Sequence, residues 1–264
     1  MRNNDSLIER LQNRIEDNEN DLQTWTDSLE ELAEIEDAFE VNEKGKIIDK
    51  TILDVGTDCV KPLYIALKFK PAKIMGINED LSYSFTSDIE QGAKLFAEPT
   101  QIRFYNCSLF DKETLGRILK RENLSNFDFV LVSKTLHHFR TGECVRKVGK
   151  KHDCEDVETE KNCIYEFKEK DVFEILLKLG NRVVIYEFFN RGERDDDKIR
   201  GRGGYFIREE WERMFEYFLR SNYTVRFVRP ENFFLDKGTL THAFFMLRRV
   251  NTLCFYVEEK SSSK

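Results

Sequence analysis

The chain has 264 residues, a formal net charge of −7 and a hydrophobic fraction of 40%. This length and apolar content allow a full buried core, which excludes an intrinsically disordered protein. The acidic balance argues against a protein that coats nucleic acid nonspecifically. No apolar run reaches the roughly 18 residues that a membrane helix requires, so we expect no membrane partner.

The beginning of the chain is polar and acidic, which is not the pattern of a secretory signal peptide. Six cysteines in a chain of this length do not make a disulfide scaffold, and a reducing compartment suits them. The sequence therefore predicts an intracellular protein, either cytoplasmic or, as an alternative, nuclear.

An N-terminal helical extension is predicted over residues 1–46. Within it, apolar side chains recur at helical spacing at Leu22, Trp25, Leu29, Leu32 and Ile35. We expect this apolar stripe to pack on the main domain. The alternative is that the helix carrying Trp25 covers a ligand cleft.

From residue 47 onward, short apolar runs alternate with helical stretches. The predicted strands cover residues 51–55, 73–78, 101–107, 127–133, 181–189, 223–230 and 241–250. The predicted helices cover residues 60–69, 81–97, 111–122, 168–179 and 207–220. This alternation predicts an α/β fold with a seven-stranded, mostly parallel sheet and helices on both faces. Because no helix separates the last two strands, we expect the last strand to be antiparallel.

The predicted domain spans residues 47–257 and carries an insertion at about residues 140–166, between the fourth strand and the next helix. Residues 258–264 are predicted to be a tail.

Polar residues follow four of the predicted strands at the point where each strand ends. In an open parallel sheet, ligands bind at the carboxyl ends of the strands. The residues at these ends are Asp54, Gly56, Thr57 and Asp58, then Asn78 and Glu79, then Ser108 and Leu109, and finally Ser133 and Lys134. All of them are candidate ligand contacts.

Four segments at these strand ends resemble a known family. The segments ILDVGTDCV, IMGINED, FYNCSLFD and FDFVLVSKTLHHF are similar, in order and spacing, to the cofactor motifs of the class I S-adenosylmethionine-dependent methyltransferases. The resemblance covers roughly residues 47–250. It implies a Rossmann-like fold, S-adenosylmethionine as a small-molecule methyl donor, and direct displacement on the methyl carbon.

The resemblance also implies a role for each candidate residue. Asp54, Gly56 and Thr57 would face the methionine part of the donor, and Asn78 and Glu79 would face the ribose. Ser108 and Leu109 would face the adenine, and Ser133 and Lys134 would border the methyl group. The carboxylates of Asp54 and Asp58 would favour the cationic sulfonium and ammonium of the donor.

The sequence departs from the family pattern at three of these positions. Of the three glycines in the first motif only Gly56 remains, with Asp58 and Val60 at the other two positions. Asn78 stands where the family has an acidic residue, and Ser108 stands where it has an aspartate. Asn78, Glu79 and Ser108 keep the capacity to bond a ribose hydroxyl or an adenine edge.

Other functions remain open. A dinucleotide dehydrogenase needs backbone contact with a pyrophosphate, which Asp58 would repel, so we favour the methyltransferase. The lost glycines suggest an alternative, a catalytically inactive methyltransferase-like protein that acts as an interaction or regulatory subunit. The methyl acceptor is RNA or a small molecule, and the basic segments 145–151 and 200–208 are the candidate RNA contacts. The sequence singles out no catalytic base and no oligomeric state.

Two histidines and a group of possible metal ligands follow the fourth strand. His137 and His138 could act as a base, but we favour packing and capping of the following helix. Cys144, His152, Cys154 and Cys163 could hold zinc. Because they include no Cys-x-x-Cys pair, we favour a mobile polar loop without metal.

The segment 190–206 is rich in glycine and in charges of both signs. It is a candidate substrate-facing loop in which Arg200 and Arg202 would meet a phosphate or a carboxylate. A solvated loop is the equally favoured alternative.

Overall fold

A computed structural model of the chain describes residues 35, 36, 38, 39, 47–57, 60–79, 81, 90, 100–139, 144–147, 163–165, 167–190, 206–229, 231–247 and 252–260. The chain divides into two compact units, with the boundary between Leu131 and Val132. This boundary crosses one strand, Phe127–Ser133, which therefore contributes residues to both units.

The first unit is built on parallel strands. Strands β1 (Thr51–Val55), β2 (Lys73–Asn78), β3 (Gln101–Asn106) and β4 (Phe127–Ser133) lie in the order β4-β1-β2-β3. Strand β2 is parallel to both β1 and β3. Helix α1 (Val60–Phe69) follows β1, and helix α2 (Lys112–Arg121) follows β3. The predicted helix at residues 81–97 lies outside the described residues except for Leu81 and the helical Glu90.

Apolar packing of the N-terminal extension stabilises the first unit. Ile35, Ala38 and Phe39 of the N-terminal extension are buried. The ring of Phe39 lies 5.7 Å from Phe69 and 5.8 Å from Phe129, measured between ring centroids. This part of the extension therefore packs on the unit. Ile35 belongs to the predicted apolar stripe, whose other members lie outside the described residues: Leu22, Trp25, Leu29 and Leu32.

The carboxylate of Asp128 ties β4 to the start of β1. It accepts hydrogen bonds from the Thr51 backbone N–H at 2.8 Å, the Thr51 hydroxyl at 3.0 Å and the Lys50 ammonium at 3.0 Å. Partial burial favours the neutral acid, but these donors outweigh it and lower the pKa of Asp128.

The second unit combines antiparallel strands with a separate ribbon. Strands β7 (Gly180–Asn190), β9 (Tyr223–Arg229), β10 (Phe233–Phe234) and β11 (Thr252–Glu259) lie in the order β7-β11-β9-β10. Strand β11 is antiparallel to both β7 and β9. Strand β8 (Phe206–Ile207) pairs in parallel with the end of β7, and β5 (Cys144–Lys147) pairs with β6 (Cys163–Tyr165). The helices are α3 (Glu169–Leu179), α4 (Arg208–Arg220), α5 (Leu240–Met246) and a short 3-10 helix, Leu136–Phe139.

The core of the second unit is aromatic. Trp211 of α4 is fully buried. Measured between ring centroids, it lies 5.3 Å from Phe206, 5.8 Å from Phe215 and 6.0 Å from Phe255. Most of these rings meet at steep angles, which aromatic pairs prefer over face-to-face contact. Trp211 thus packs against rings from β8, from its own helix and from β11.

The predicted α/β class, with parallel strands first and an antiparallel last strand, is confirmed, but the identity of the last strand is corrected. Residues 241–250 were expected to form it, whereas α5 covers Leu240–Met246 and the last strand is Thr252–Glu259. The buried residues of this helix and its end, Ala243, Met246 and Leu247, have helical spacing. The apolar run LCFYV is a central strand buried between β7 and β9.

The strand count also differs from the seven expected. The described part of the chain contains eleven strands, because short strands such as β8 and β10 and the β5–β6 ribbon add to the main series. Over the same described residues, no helix combines the length and the apolar character that crossing a membrane requires.

Candidate functional site

The carboxyl ends of β1, β2 and β3 lie side by side in the first unit. In the strand register, Val55 is opposite Ile77, Ile77 is opposite Tyr105, and Asn78 is opposite Asn106. This brings together the predicted site residues Asp54, Gly56, Thr57, Asn78, Glu79, Ser108 and Leu109. Asp58 lies outside the described residues, and Ser133 and Lys134 belong to the second unit.

The turn after β1 folds back onto the end of β2. Gly56 has a φ of 71°, a left-handed conformation that glycine adopts without strain. The backbone N–H groups of Gly56 and Thr57 both donate to the carbonyl of Ile77, at 2.8 and 3.1 Å. Thr57 and Asp54 are buried. The one glycine that remains in this motif thus stands where the backbone needs it.

A second glycine, Gly76 of β2, makes room for this turn. A Cβ atom at Gly76 would lie 2.6 Å from Cδ1 of Phe104 and 2.8 Å from the methyl group of Thr57. Both distances are shorter than any ordinary carbon–carbon contact, so a side chain does not fit here without movement of its neighbours. Sequence reasoning missed Gly76 because its role depends on β3 and on the turn after β1.

Side-chain amides connect the three strand ends. The Asn78 amide nitrogen donates to the carbonyl of Thr57 at 3.0 Å. With its amide group oriented to satisfy its neighbours, Asn106 donates to the carbonyls of Asn78 at 3.1 Å and Glu79 at 2.6 Å. The Cys107 backbone N–H also donates to the carbonyl of Asn78, at 2.9 Å. Asn106 was not among the predicted site residues.

The loop after β3 has a hydrogen-bonded shape of its own. The Ser108 hydroxyl accepts from the Phe110 N–H at 3.3 Å, and the Ser108 carbonyl accepts from the Asp111 N–H at 3.2 Å. Asp111 then caps α2 by accepting from the Thr114 N–H at 3.0 Å. Leu109 is buried, whereas 45% of Phe110 is exposed. An exposed aromatic ring therefore stands beside the two residues predicted to face adenine, a feature that the sequence motif does not reveal.

The electrostatics of this edge are acidic. Burial raises the pKa of the Cys107 thiol, and the negative charges of Asp111 and Glu79 raise it further. Glu79 is exposed. The thiol therefore stays protonated at neutral pH, and a carboxylate faces solvent at the end of β2.

In the second unit, the residues after β4 form a strained turn. Lys134 has a φ of 51°, its backbone N–H donates to the carbonyl of Tyr186 at 2.8 Å, and its ammonium lies 6.0 Å from the centre of the Tyr186 ring. Ser133 is buried, and its carbonyl accepts from the Thr135 hydroxyl at 2.8 Å. Next to Tyr186, Glu187 is also fully buried.

Some of the other candidates belong to the described part of the chain, and others do not. The backbone N–H of His138 donates to the carbonyl of Thr135 at 3.0 Å, and its side chain is exposed. The expected polar loop begins and ends in a β-ribbon, in which Cys144 is opposite Tyr165 and Lys147 is opposite Cys163. This corrects the loop prediction at those residues. The following residues lie outside the described ranges: His152, Cys154, Arg200 and Arg202.

No protein-family model and no curated protein matches the chain. Among solved structures, the chain is similar to an O-methyltransferase family protein from Burkholderia thailandensis, with 9% identity, a TM-score of 0.48 and coverage of 94% of this chain and 62% of that chain. It is similar to the methyltransferase domain of bacterial CtHen1, with 18% identity, a TM-score of 0.43 and coverage of 79% and 90%. It is also similar to a geranyl diphosphate C-methyltransferase from Streptomyces coelicolor, with 11% identity, a TM-score of 0.43 and coverage of 85% and 74%. These values describe a distant likeness.

Proposed function

We propose that the chain is an S-adenosylmethionine-dependent methyltransferase that binds its donor at the carboxyl ends of β1, β2 and β3. One observation carries the proposal. These three strand ends lie in register and bring together a glycine turn at Gly56, an exposed carboxylate at Glu79 and an exposed aromatic ring at Phe110. Ligands of open α/β sheets bind at such strand ends.

The residues present fit the chemistry of this donor. A carboxylate such as that of Glu79 accepts hydrogen bonds from both ribose hydroxyls. The ring of Phe110 offers a face for adenine, and the loop at Ser108 offers backbone groups for its edge. The donor has no phosphate, so it does not need the glycine-rich cradle that a dinucleotide requires. Its sulfonium and ammonium are attracted by the acidic strand ends.

In this proposal the chain acts by positioning. When bound, S-adenosylmethionine supplies an electrophilic methyl group on a sulfonium. The strand ends hold the donor in one orientation, so that an acceptor nucleophile meets the methyl carbon in line with the bond to sulfur. Gly56 and Thr57 would hold the methionine part and Glu79 the ribose, and the bound donor would supply the methyl group and leave as S-adenosylhomocysteine. The assignment of Ser133 and Lys134 to the border of the methyl group stays a prediction, as does an acceptor that is RNA or a small molecule.

The test is calorimetric titration of the whole chain with S-adenosylmethionine, S-adenosylhomocysteine and NAD⁺. We expect saturable binding of the first two and no binding of NAD⁺. Gly56→Val should abolish binding, because a β-branched residue does not fit a φ of 71°. Gly116→Ala on α2, where a Cβ meets nothing within 4 Å, is the matched control and should bind like the wild type.

Absence of donor and product binding by protein with a native circular dichroism spectrum would overturn the proposal. The chain would then fit the alternative function, an inactive methyltransferase-like interaction subunit. Binding of NAD⁺ in preference to S-adenosylmethionine would instead indicate a dinucleotide enzyme.

A further inference from the structure

We propose that Asn78 is a positioning residue, not a ribose contact: its side-chain amide holds the turn after β1 against β2, and Glu79 supplies the carboxylate that meets the ribose. This inference rests on the proposed function, which puts the turn against the methionine part of the donor and the end of β2 against the ribose.

The turn after β1 is tied to β2 by hydrogen bonds that run in both directions. The Gly56 and Thr57 N–H groups donate to the carbonyl of Ile77 at 2.8 and 3.1 Å. In return, the Asn78 amide nitrogen donates to the carbonyl of Thr57 at 3.0 Å. Thr57 is therefore held by two consecutive residues of β2. Its N–H donates to Ile77, and its carbonyl accepts from the side chain of Asn78.

The bond to Thr57 requires an amide at position 78. An ionised carboxylate has acceptors but no donor, so an aspartate here could not bond to the Thr57 carbonyl. It would instead put a negative oxygen close to another oxygen. The asparagine that departs from the methyltransferase pattern is thus the residue type that this bond needs.

The position of Asn78 is itself fixed from β3. Its carbonyl accepts from the Cys107 N–H at 2.9 Å and from the Asn106 amide at 3.1 Å. In the same amide orientation, the Asn106 side chain also donates to the carbonyl of Glu79 at 2.6 Å. A continuous set of hydrogen bonds therefore runs from the end of β3 through Asn78 to the turn after β1.

The side chains of Asn78 and Glu79 are placed for different tasks. Asn78 is half-buried and its amide nitrogen bonds to the turn, whereas Glu79 is exposed. Among the described residues, the Glu79 carboxylate has no hydrogen-bond or ion-pair partner, and a carboxylate that faces solvent can accept ribose hydroxyls when the ligand arrives. The shape of the turn thus depends on Asn78, and recognition of the ribose depends on Glu79.

The test compares two ligands in calorimetric titrations of the whole chain: S-adenosylhomocysteine, which has the amino-acid part, and adenosine, which lacks it. We expect Asn78→Asp to weaken the affinity for S-adenosylhomocysteine by about tenfold, because one hydrogen bond is lost and a repulsion between two oxygens takes its place. Adenosine affinity should change less than about twofold, because adenosine does not reach the turn. Glu79→Gln should weaken both ligands by the same factor.

Asn222→Asp adds the same charge at an exposed turn of the second unit and should change neither affinity. If Asn78 contacts the ribose directly, Asn78→Asp will change the affinities of S-adenosylhomocysteine and adenosine by the same factor. The reason is that both ligands carry the ribose, and the new carboxylate would accept its hydroxyls more or less strongly than the amide does. That result would overturn the proposal.

Hydrogen exchange without ligand separates this proposal from the proposed function. Asn78→Asp should speed exchange of the Gly56 and Thr57 amides relative to the amides of β1, and Asn222→Asp should not. If the wild type binds no nucleoside, the methyltransferase proposal fails, and exchange still decides the role of Asn78. Unchanged exchange at Gly56 and Thr57 in Asn78→Asp would overturn that role.

Discussion

The strand ends of the first unit and the core of the second unit are stabilised by different interactions. At the ends of β1, β2 and β3, single polar groups of Thr57, Asn78 and Asn106 bond to backbone carbonyls and N–H groups across the sheet. In the second unit, Trp211 and Phe255 are completely buried among other rings. The first arrangement leaves charged and aromatic groups exposed, and the second leaves none of these large rings accessible.

The comparison separates residues that set stability from residues that we propose to set donor binding. Burial of a large ring contributes several kcal/mol to stability, so an aromatic core tolerates few changes. A single hydrogen bond contributes about 1 kcal/mol, so each bond at the strand ends matters more for the shape of the site than for folding. The four predictions that follow test this division, beginning with the largest expected effect.

Trp211→Ala should lower the free energy of unfolding by about 3–5 kcal/mol, because it empties a space between Phe206, Phe215 and Phe255. Trp211→Phe should cost clearly less, because it keeps a ring. It also removes an indole N–H that meets no hydrogen-bond partner among the described residues. Urea unfolding followed by circular dichroism measures both. Equal losses for the two variants would contradict this account of the core.

Gly76→Ala should destabilise the first unit by about 1–3 kcal/mol and also weaken donor binding, since the new methyl group collides with Phe104 and Thr57. The matched control is Gly116→Ala on α2, where the space is open. That change should raise stability by up to about 1 kcal/mol through helix propensity. Both variants are compared by urea unfolding and calorimetric titration. If the two alanines behave alike, steric contact across the sheet is not what requires Gly76.

Phe110→Ala should weaken S-adenosylhomocysteine by about tenfold, the typical loss of one aromatic face beneath a base, with little change in stability. Phe234→Ala removes a ring of similar exposure in the second unit, 48% against 45%, and should leave binding unchanged. Calorimetry gives the affinities and thermal unfolding gives the stabilities. A loss of stability without a loss of affinity would assign Phe110 to packing.

Asp128→Asn should cost about 1 kcal/mol of stability at pH 7 and progressively less in acid. The pKa of Asp128 is lower in the folded chain than in the unfolded chain. Its ionised form therefore stabilises the fold above the unfolded pKa of about 3.9, and this contribution is lost as the pH falls through the folded pKa. Unfolding of wild type and variant at pH 7 and pH 3 measures the difference. A difference that does not shrink in acid would contradict the linkage.

Most of the fold could be predicted because its strands are short, mostly apolar runs bounded by turn residues. The segments at β1, β2 and β4 are buried along most of their length, and their short length and their flanking residues favour a strand over a buried helix. The prediction of the last strand was wrong because the aromatic and β-branched residues of THAFFMLRRV have strand propensity. In the structure Leu240–Met246 is helical instead, and the helix buries Ala243 and Met246 on one face. Tertiary contacts override propensity in such segments.

The grouping of the candidate residues at the strand ends was predictable from the sequence, but the hydrogen bonds among them were not, and their role in binding stays a prediction. Motif order along the chain indicates which strand ends meet, since parallel strands end at one edge. The bond from Asn78 to Thr57 and the bonds from Asn106 to Asn78 and Glu79 depend on strand register and side-chain orientation. The pattern of a single sequence reveals neither the strand register nor the orientation of a side chain. The exposure of Phe110 is likewise a property of the folded loop.

The contact between Gly76 and the turn after β1 also bears on how motifs of this kind are recognised. A motif search reads residues that are consecutive in the chain, and by that criterion ILDVGTDCV has lost two of its three glycines. The steric requirement acts between neighbouring strands instead, and Gly76, paired with Asp54 in the register, meets part of it from β2. A search that scored the space around the turn in three dimensions would therefore count glycines on both strands.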